Sequence, residues 1–581
     1  MRRPESAAET RIWPVCWIMH TQAFCQHDTG LKRSKVMPKL NGAQAIVEGL
    51  LAHGVDTVFG IPGIQLDPLF DALHGCRDRI RTVHTRHEQG AAFMAMGYAQ
   101  ATGRPGVFMA VPGPGMLNAM AAVSTAVAAG QPVLCITGQI PSYQIGEGLG
   151  IAHELRDQLA VSRGVVSWSE RADHPHQVPE LLEEAFRAMT QGRPGPAVLE
   201  MAPDRLALAE EVTLREAPSG ESTAEPDPVL IERAVKSLCA AQHPVIVVGG
   251  GALTAGGPLK QLAEKLRIPV ISTISARGVL PDDHPLSFTF LTGQYIWERV
   301  DVALVVGTRF TAPALAWGRQ QDVEVIRIDI EEAAIRRPLP ADIELMTSAD
   351  KGLQAIVDTV PATDVDRASY LDFCNQAAQA VAGKLSTLEP LPALAGALRA
   401  ALPEDGIVVA DVTQLGSYVR YALPAYQPRT IMGPGFQATL GYALPAALGV
   451  KVADPARQVV AVCGDGGFMF TLQELATAVH HNISIVIVIL DNASYGNVKT
   501  IQAASYGGRH IAVDLTNPDF VALGESFGIR SCCVESAEVF EVELTQALAA
   551  NSPRLIVVPI GAVPSIWDLV RRPPSQGVAT H

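Results

Sequence analysis

Asp465 and Asn492 are the residues whose types and spacing point most directly to chemistry. Asp465 lies in Cys463-Gly464-Asp465-Gly466-Gly467, and Asn492 follows Ile489-Leu490-Asp491. Val459–Val462 and Ile483–Leu490 read as buried strands, and Leu472–Val479 between them has the apolar spacing of a helix. The unit is therefore β-α-β, with Asp465 and Asn492 at the carboxyl ends of two parallel strands, where open α/β sheets bind ligands. A carboxylate, an amide oxygen and the loop carbonyl near Ser494 are hard oxygen donors suited to Mg²⁺, which shares its shell with phosphate oxygens and water. Gly464, Gly466 and Gly467 allow a diphosphate to approach the backbone and its N–H groups. An ordinary glycine turn in a Rossmann-like sheet is the competing reading.

A second set of candidates lies near the amino end. Ile80–His84 reads as a strand that leaves through Thr85-Arg86-His87-Glu88 into a helix beginning at Gln89. Glu88 thus sits at a helix N-terminus, where the dipole favours a carboxylate. By itself that describes a capping residue as well as a catalytic one. Nearby strands end in Val111-Pro112-Gly113-Pro114-Gly115, with Asn118 following, and in Thr137-Gly138-Gln139.

The elements that must position these groups alternate strand and helix, which predicts α/β domains built on parallel sheets covered on both faces. At 581 residues several domains are expected. The reading is residues 37–205, a linker at 206–226, a central domain at 227–360, a second linker at 361–384, a third domain at 385–562 and a tail at 563–581. Within the tail, Ile566 and Trp567 are the apolar residues, and either a disordered end or a flap over a site fits them. Residues 1–36 lack a signal peptide's apolar core and read as an extension, with Met37 the expected natural start.

The net charge of −14 argues against a nucleic-acid partner. No apolar run reaches the roughly 18 residues of a membrane span. Nine scattered cysteines without a C-x-x-C pair suit a reducing, cytoplasmic setting.

From about Leu40 to Pro559 the chain resembles the acetolactate-synthase-like branch of thiamine-diphosphate (ThDP) enzymes. The match runs through Phe59-Gly60-Ile61-Pro62-Gly63, Arg86-His87-Glu88-Gln89-Gly90-Ala91-Ala92 and Pro112-Gly113-Pro114-Gly115. It continues through Gly192-Arg193-Pro194-Gly195-Pro196, Val248-Gly249-Gly250-Gly251 and Leu440-Gly441-Tyr442-Ala443-Leu444-Pro445 to the Asp465 motif. The resemblance implies a pyrimidine-binding first domain, a Rossmann-like central domain and a diphosphate-binding third domain. It implies that Glu88 bonds the cofactor's pyrimidine N1′, that Leu440 props the bent cofactor and that the carbonyl near Ala438 accepts from its amino group. Asp465, Asn492 and Ser494 would hold Mg²⁺. Pro62, Gly63, Pro114, Asn118, Gly464, Gly466, Gly467, Tyr495, Gly496 and Asn497 would contact the cofactor, and Gln139 would join Glu88 as a catalytic residue. A 2-oxo acid is the implied substrate. The active site is implied to form between subunits of a homodimer or homotetramer.

Departures from the family pattern bear on the substrate. Asp491 replaces the first of two asparagines. His153 stands near a catalytic glutamine position, where an imidazole can act as acid or base; a surface histidine on a polar loop is the other reading. Ile501 falls where synthases carry a tryptophan that shapes the second-substrate pocket. Gly307-Thr308-Arg309-Phe310 lacks the continuation typical of FAD-binding synthases, so FAD is allowed rather than expected. Met116–Ala129 holds none of the histidines of pyruvate-type decarboxylases. The expected reaction is decarboxylation of a 2-oxo acid and ligation of the product to a second carbonyl, with simple decarboxylation or C–C cleavage of a bulkier substrate as the alternative. A nicotinamide oxidoreductase lacks its fingerprint here. The intact Glu88, Asp465 and Asn492 count against a non-catalytic homologue.

Overall fold

The computed structural model describes residues 38–215, 224–318, 322–362 and 365–570. The expectations for residues 1–36, for Met37 and for the end of the tail fall outside these. Three six-stranded sheets form, and every pairing within them is parallel. Their central strands are short β-branched runs such as Val245–Val248 and Val486–Asp491, buried on both faces as crossover helices require.

The first and third sheets share one strand order. In the first, Arg81–His84 lies beside Thr57–Gly60, then Gly106–Ala110, Val133–Gly138, Ala197–Met201 and Trp168–Arg171. In the third, Ile431–Met432 is followed by Ile407–Ala410, Val459–Gly464, Val486–Asp491, Arg554–Pro559 and Arg530–Cys533. The central sheet runs outward in both directions from Val245–Val248 and Val302–Val306, the dinucleotide-fold order. In the third sheet the order reverses between Ile407–Ala410 and Val459–Gly464, so a crevice opens above those two strand ends.

The first and third domains share a core. Helix Glu88–Thr102 packs on helix Ala443–Ala453, and both are buried along most of their length. Glycines allow backbone to meet backbone. A Cβ on Gly97 would stand 2.1 Å from the Ala446 carbonyl oxygen, and one on Gly449 would stand 2.0 Å from that of Met94. Phe93, Met94, Phe108, Tyr442, Leu444 and Cys463 thereby join one apolar cluster.

Two stretches expected to be linkers contain regular structure. Within 206–226, Ala209–Glu211 pairs antiparallel with Lys39–Asn41 and closes the first domain. Within 361–384 a helix forms, Ala368–Leu385, and packs against Phe290–Ile296. The described start of the tail, to Val570, packs against the rest of the protein. Ile566 is buried in the third domain's core, and the Gln294 amide donates to the carbonyls of Leu569 and Val570.

Candidate active site

The third-domain site grows from three adjacent strand ends. Val459–Gly464 delivers Asp465, Val486–Asp491 delivers Asn492 and Ser494, and Ile407–Ala410 delivers Asp411. The Asp465 carboxylate is 2% exposed. It accepts from the Ser494 backbone N–H at 3.2 Å and the Asn517 side-chain amide at 2.8 Å. The same amide nitrogen donates to Asp491 at 2.8 Å, and the Ser494 hydroxyl donates to the Asn492 oxygen at 3.1 Å. Ala493 takes a left-handed φ of 48°, which turns the chain sharply between Asn492 and Ser494.

The structure thus brings Asp465, Asn492 and Ser494 together and adds Asn517, which lies in a distant loop. Burial pushes the Asp465 carboxyl up; the Asn517 amide and backbone N–H groups pull it down, while Asp491 opposes them. Among the described residues no basic side chain pairs with Asp465. A buried carboxylate beside amide oxygens fits a hard divalent cation, whose charge would hold it ionised.

The glycines around Asp465 are needed for space. A Cβ on Gly466 would lie 2.6 Å from the Tyr495 ring, and one on Gly464 would lie 2.9 Å from Thr413. On Gly496 it would lie 2.2 Å from the Gln414 amide nitrogen. The Asn497 amide is spent on the Val412 carbonyl at 2.8 Å, so its part is to tie the loops together. Helix Gly496–Ser505 begins beside Asn492, and a helix N-terminus favours an anion.

Asp411 was missed from sequence, although an Asp-Val-Thr-Gln exit at a sheet's reversal point was a readable signal. One carboxylate oxygen of Asp411 accepts from the Ala443 N–H. The other is buried without a partner, 3.3 Å from where a Gly467 Cβ would be. Burial pushes this acid up to about 7. Leu440 is 43% exposed beside Gly467, and Ala438 before it has a left-handed φ of 54°. An orphaned acceptor, a glycine cradle and an exposed apolar prop fit a bulky polar cofactor.

The first domain supplies the second half. Glu88 occupies the first turn of helix Glu88–Thr102, whose preceding residue His87 accepts from the Gln89 N–H at 3.2 Å. The Asn118 amide donates to the Glu88 carboxylate at 3.0 Å. Gly115 leaves room for it, since a Cβ there would lie 3.2 Å from Glu88 Oε1. Pro114 starts helix Pro114–Ala129 after Gly113 at φ 62°, and Gly63 closes on Val111. Pro62 is exposed on the neighbouring turn.

His153 reaches the same turn. It has a left-handed φ of 70°, and its Nδ1 lies 3.0 Å from the Pro112 carbonyl. A carbonyl only accepts, so Nδ1 carries the proton and Nε2 is left for a ligand. Gln139 is different. It is 3% exposed, donates to Glu200 at 3.1 Å and accepts from the Ile140 N–H. Glu200, fully buried, also binds Gln158 and Arg171. Gln139 is therefore framework rather than a group presented to a substrate.

Ile501 is 50% exposed on helix Gly496–Ser505, which buries none of its residues. The Gly249–Gly251 turn is filled by protein. Cβ atoms on Gly249 and Gly251 would collide with Thr308 and Gly307, so packing accounts for these glycines.

Residues 40–161 match the thiamine pyrophosphate enzyme N-terminal TPP binding domain, 231–356 its central domain and 411–558 its C-terminal TPP binding domain. A probable acetolactate synthase large subunit of Methanocaldococcus jannaschii is 31% identical over 565 residues, 91% of this chain and 93% of that protein. A probable 2-ketoarginine decarboxylase of Pseudomonas aeruginosa is 34% identical, covering 88% and 92% of the two chains. The acetolactate synthase isozyme 1 large subunit of Escherichia coli is 30% identical, covering 92% and 96%. The two clusters built around Glu88 and Asp465 fall inside the two TPP binding domains. With this identity along nearly its whole length, the chain belongs to the thiamine pyrophosphate enzyme family as an acetolactate-synthase-like carboligase/decarboxylase.

Proposed function

We propose that the protein decarboxylates a 2-oxo acid with ThDP and Mg²⁺ and ligates the remaining fragment to a second carbonyl. The observation that carries this reading is the Glu88 carboxylate, held by Asn118 at the start of a helix, alongside the buried Asp465 cluster. ThDP, when bound, supplies a nucleophilic carbon and a sink for the electrons released with CO₂. Glu88 would bond the aminopyrimidine and move a proton there, and Leu440 would support the cofactor's shape. Asp465, Asn492 and Ser494 would hold Mg²⁺, and Gly464, Gly466 and Gly467 would admit the diphosphate. His153 would give or take a proton at the substrate through Nε2.

The active unit is a homodimer or homotetramer in this proposal. Leu117, Phe436, Met469 and Phe470 are exposed, apolar surface suited to burial against a second copy. The free cysteines suit a cytoplasmic setting, and no helix among the described residues is long and apolar enough to cross a membrane.

Simple decarboxylation of a bulkier 2-oxo acid is the second reading. The half-exposed Ile501 and the 34%-identical probable 2-ketoarginine decarboxylase favour it. Incubating the protein and both cofactors with pyruvate, and separately with 2-ketoarginine, separates the readings by product mass. A 2-hydroxy-2-methyl-3-oxo acid from pyruvate supports ligation. An aldehyde from 2-ketoarginine, with pyruvate untouched, replaces it with the second reading.

A further inference from the structure

Three imidazoles gather where the first and third domains meet, next to the loop that leads into Glu88. His84 ends the strand Arg81–His84, His480 ends the helix Glu474–His480, and His481 follows it. Each ring meets the other two edge to face, with centroids 4.5, 4.7 and 4.8 Å apart and interplanar angles of 71°, 67° and 73°. One nitrogen from each ring lies within 4.8 Å of the other two. Nitrogens bound tetrahedrally at about 2.0–2.1 Å stand about 3.3 Å apart, so the rings must turn toward one another to share an ion.

We propose that His84, His480 and His481 form a binding site for a divalent transition cation of the Zn²⁺ class, clamping the first domain to the third.

Two further features point to a metal rather than to chance packing. His481 Nε2 lies 3.2 Å from the His84 carbonyl oxygen, which only accepts. Nε2 is therefore protonated, and Nδ1 keeps its lone pair. A backbone carbonyl fixing the far nitrogen is the usual support of a metal-binding histidine. Moreover, no carboxylate among the described residues pairs with these rings. A histidine pair elsewhere among the described residues shows the contrast: Glu210 bridges His174 and His176 at 2.9 and 2.6 Å and satisfies both. His480 is exposed, so a fourth position opens to water, as in three-histidine zinc sites. The clamp would act beside the Glu88 loop. Arg86 and His87, just past His84, already donate to Glu474 on the helix that ends in His480.

Co²⁺ titration of the full-length protein tests the site, with excess Mg²⁺ present to occupy Asp465. One equivalent of Co²⁺ is expected to give the visible absorption of a tetrahedral nitrogen site, to be displaced by Zn²⁺ and to raise the melting temperature. The band should survive in the His174→Ala/His176→Ala double variant and disappear in His84→Ala and in His480→Gln. His480 is exposed, so its replacement leaves the fold intact and the test valid. Absence of the band in the native protein, or its persistence in His480→Gln, overturns the proposal.

Discussion

Glu474 links the fold to the catalytic loop, and its replacement has a calculable cost. The side chain is fully buried. It accepts from the N–H groups of Arg86 at 3.2 Å and His87 at 3.0 Å, and from the Thr477 hydroxyl at 2.5 Å. Glu474→Ala strands two backbone donors in the segment that leads into Glu88. At about 1–3 kcal/mol for each orphaned donor, the expected loss is about 2–6 kcal/mol, a large share of a typical folding free energy. Glu474→Gln keeps one oxygen for Arg86 and His87 and turns its amide toward Thr477, whose hydroxyl can accept. Its loss should stay within about 1 kcal/mol.

The two forms also differ in pH response. Burial pushes Glu474 up to about 7 from its ordinary 4.5, so between those values the folded state binds more protons than the unfolded chain. The associated stability is complete below about pH 4.5, falls as pH rises to about 7, and is flat beyond, a change of at most about 3 kcal/mol. Glu474→Gln removes this slope. Urea unfolding of the native protein and both variants at pH 5 and pH 7.5 measures all of this. An Ala variant within about 0.5 kcal/mol of the native protein would refute the reasoning, as would an unchanged slope in the Gln variant.

Asp465→Ala should weaken ThDP binding most at low Mg²⁺, with excess Mg²⁺ restoring little. Titration calorimetry at two Mg²⁺ levels checks this, and unchanged ThDP affinity at low Mg²⁺ would count against the ligand assignment. Gly97→Ala would gain about 1 kcal/mol of helix propensity on an open surface. Here its methyl meets the Ala446 carbonyl at 2.1 Å, so a net destabilisation of about 1–3 kcal/mol is expected in thermal unfolding.

The legible parts of the sequence were those governed by local rules. A glycine turn after a β-branched run located Asp465, and polar exits from the strands before them located Asn492 and Glu88, because strand, turn and helix must follow one another there. Asn517 was hidden because its contact with Asp465 spans 52 residues of sequence and depends on how a loop folds back. Gln139 was misread for the same kind of reason. Whether a polar residue at a strand end faces a cleft or the interior depends on its partner, and Glu200 lies 61 residues away. The helix Ala368–Leu385 was hidden by its alanines, although its buried Tyr370, Cys374, Ala377 and Val381 recur at helical spacing.

Glu88→Gln tests the central claim most directly. Gln keeps the size and the Asn118 contact but removes the carboxylate that moves the proton. ThDP affinity by calorimetry and CO₂ release from a turned-over 2-oxo acid are measured on the same preparation. The account predicts affinity within a few-fold of the native protein and turnover lower by about 10²–10⁴-fold. CO₂ release at the native rate would contradict it.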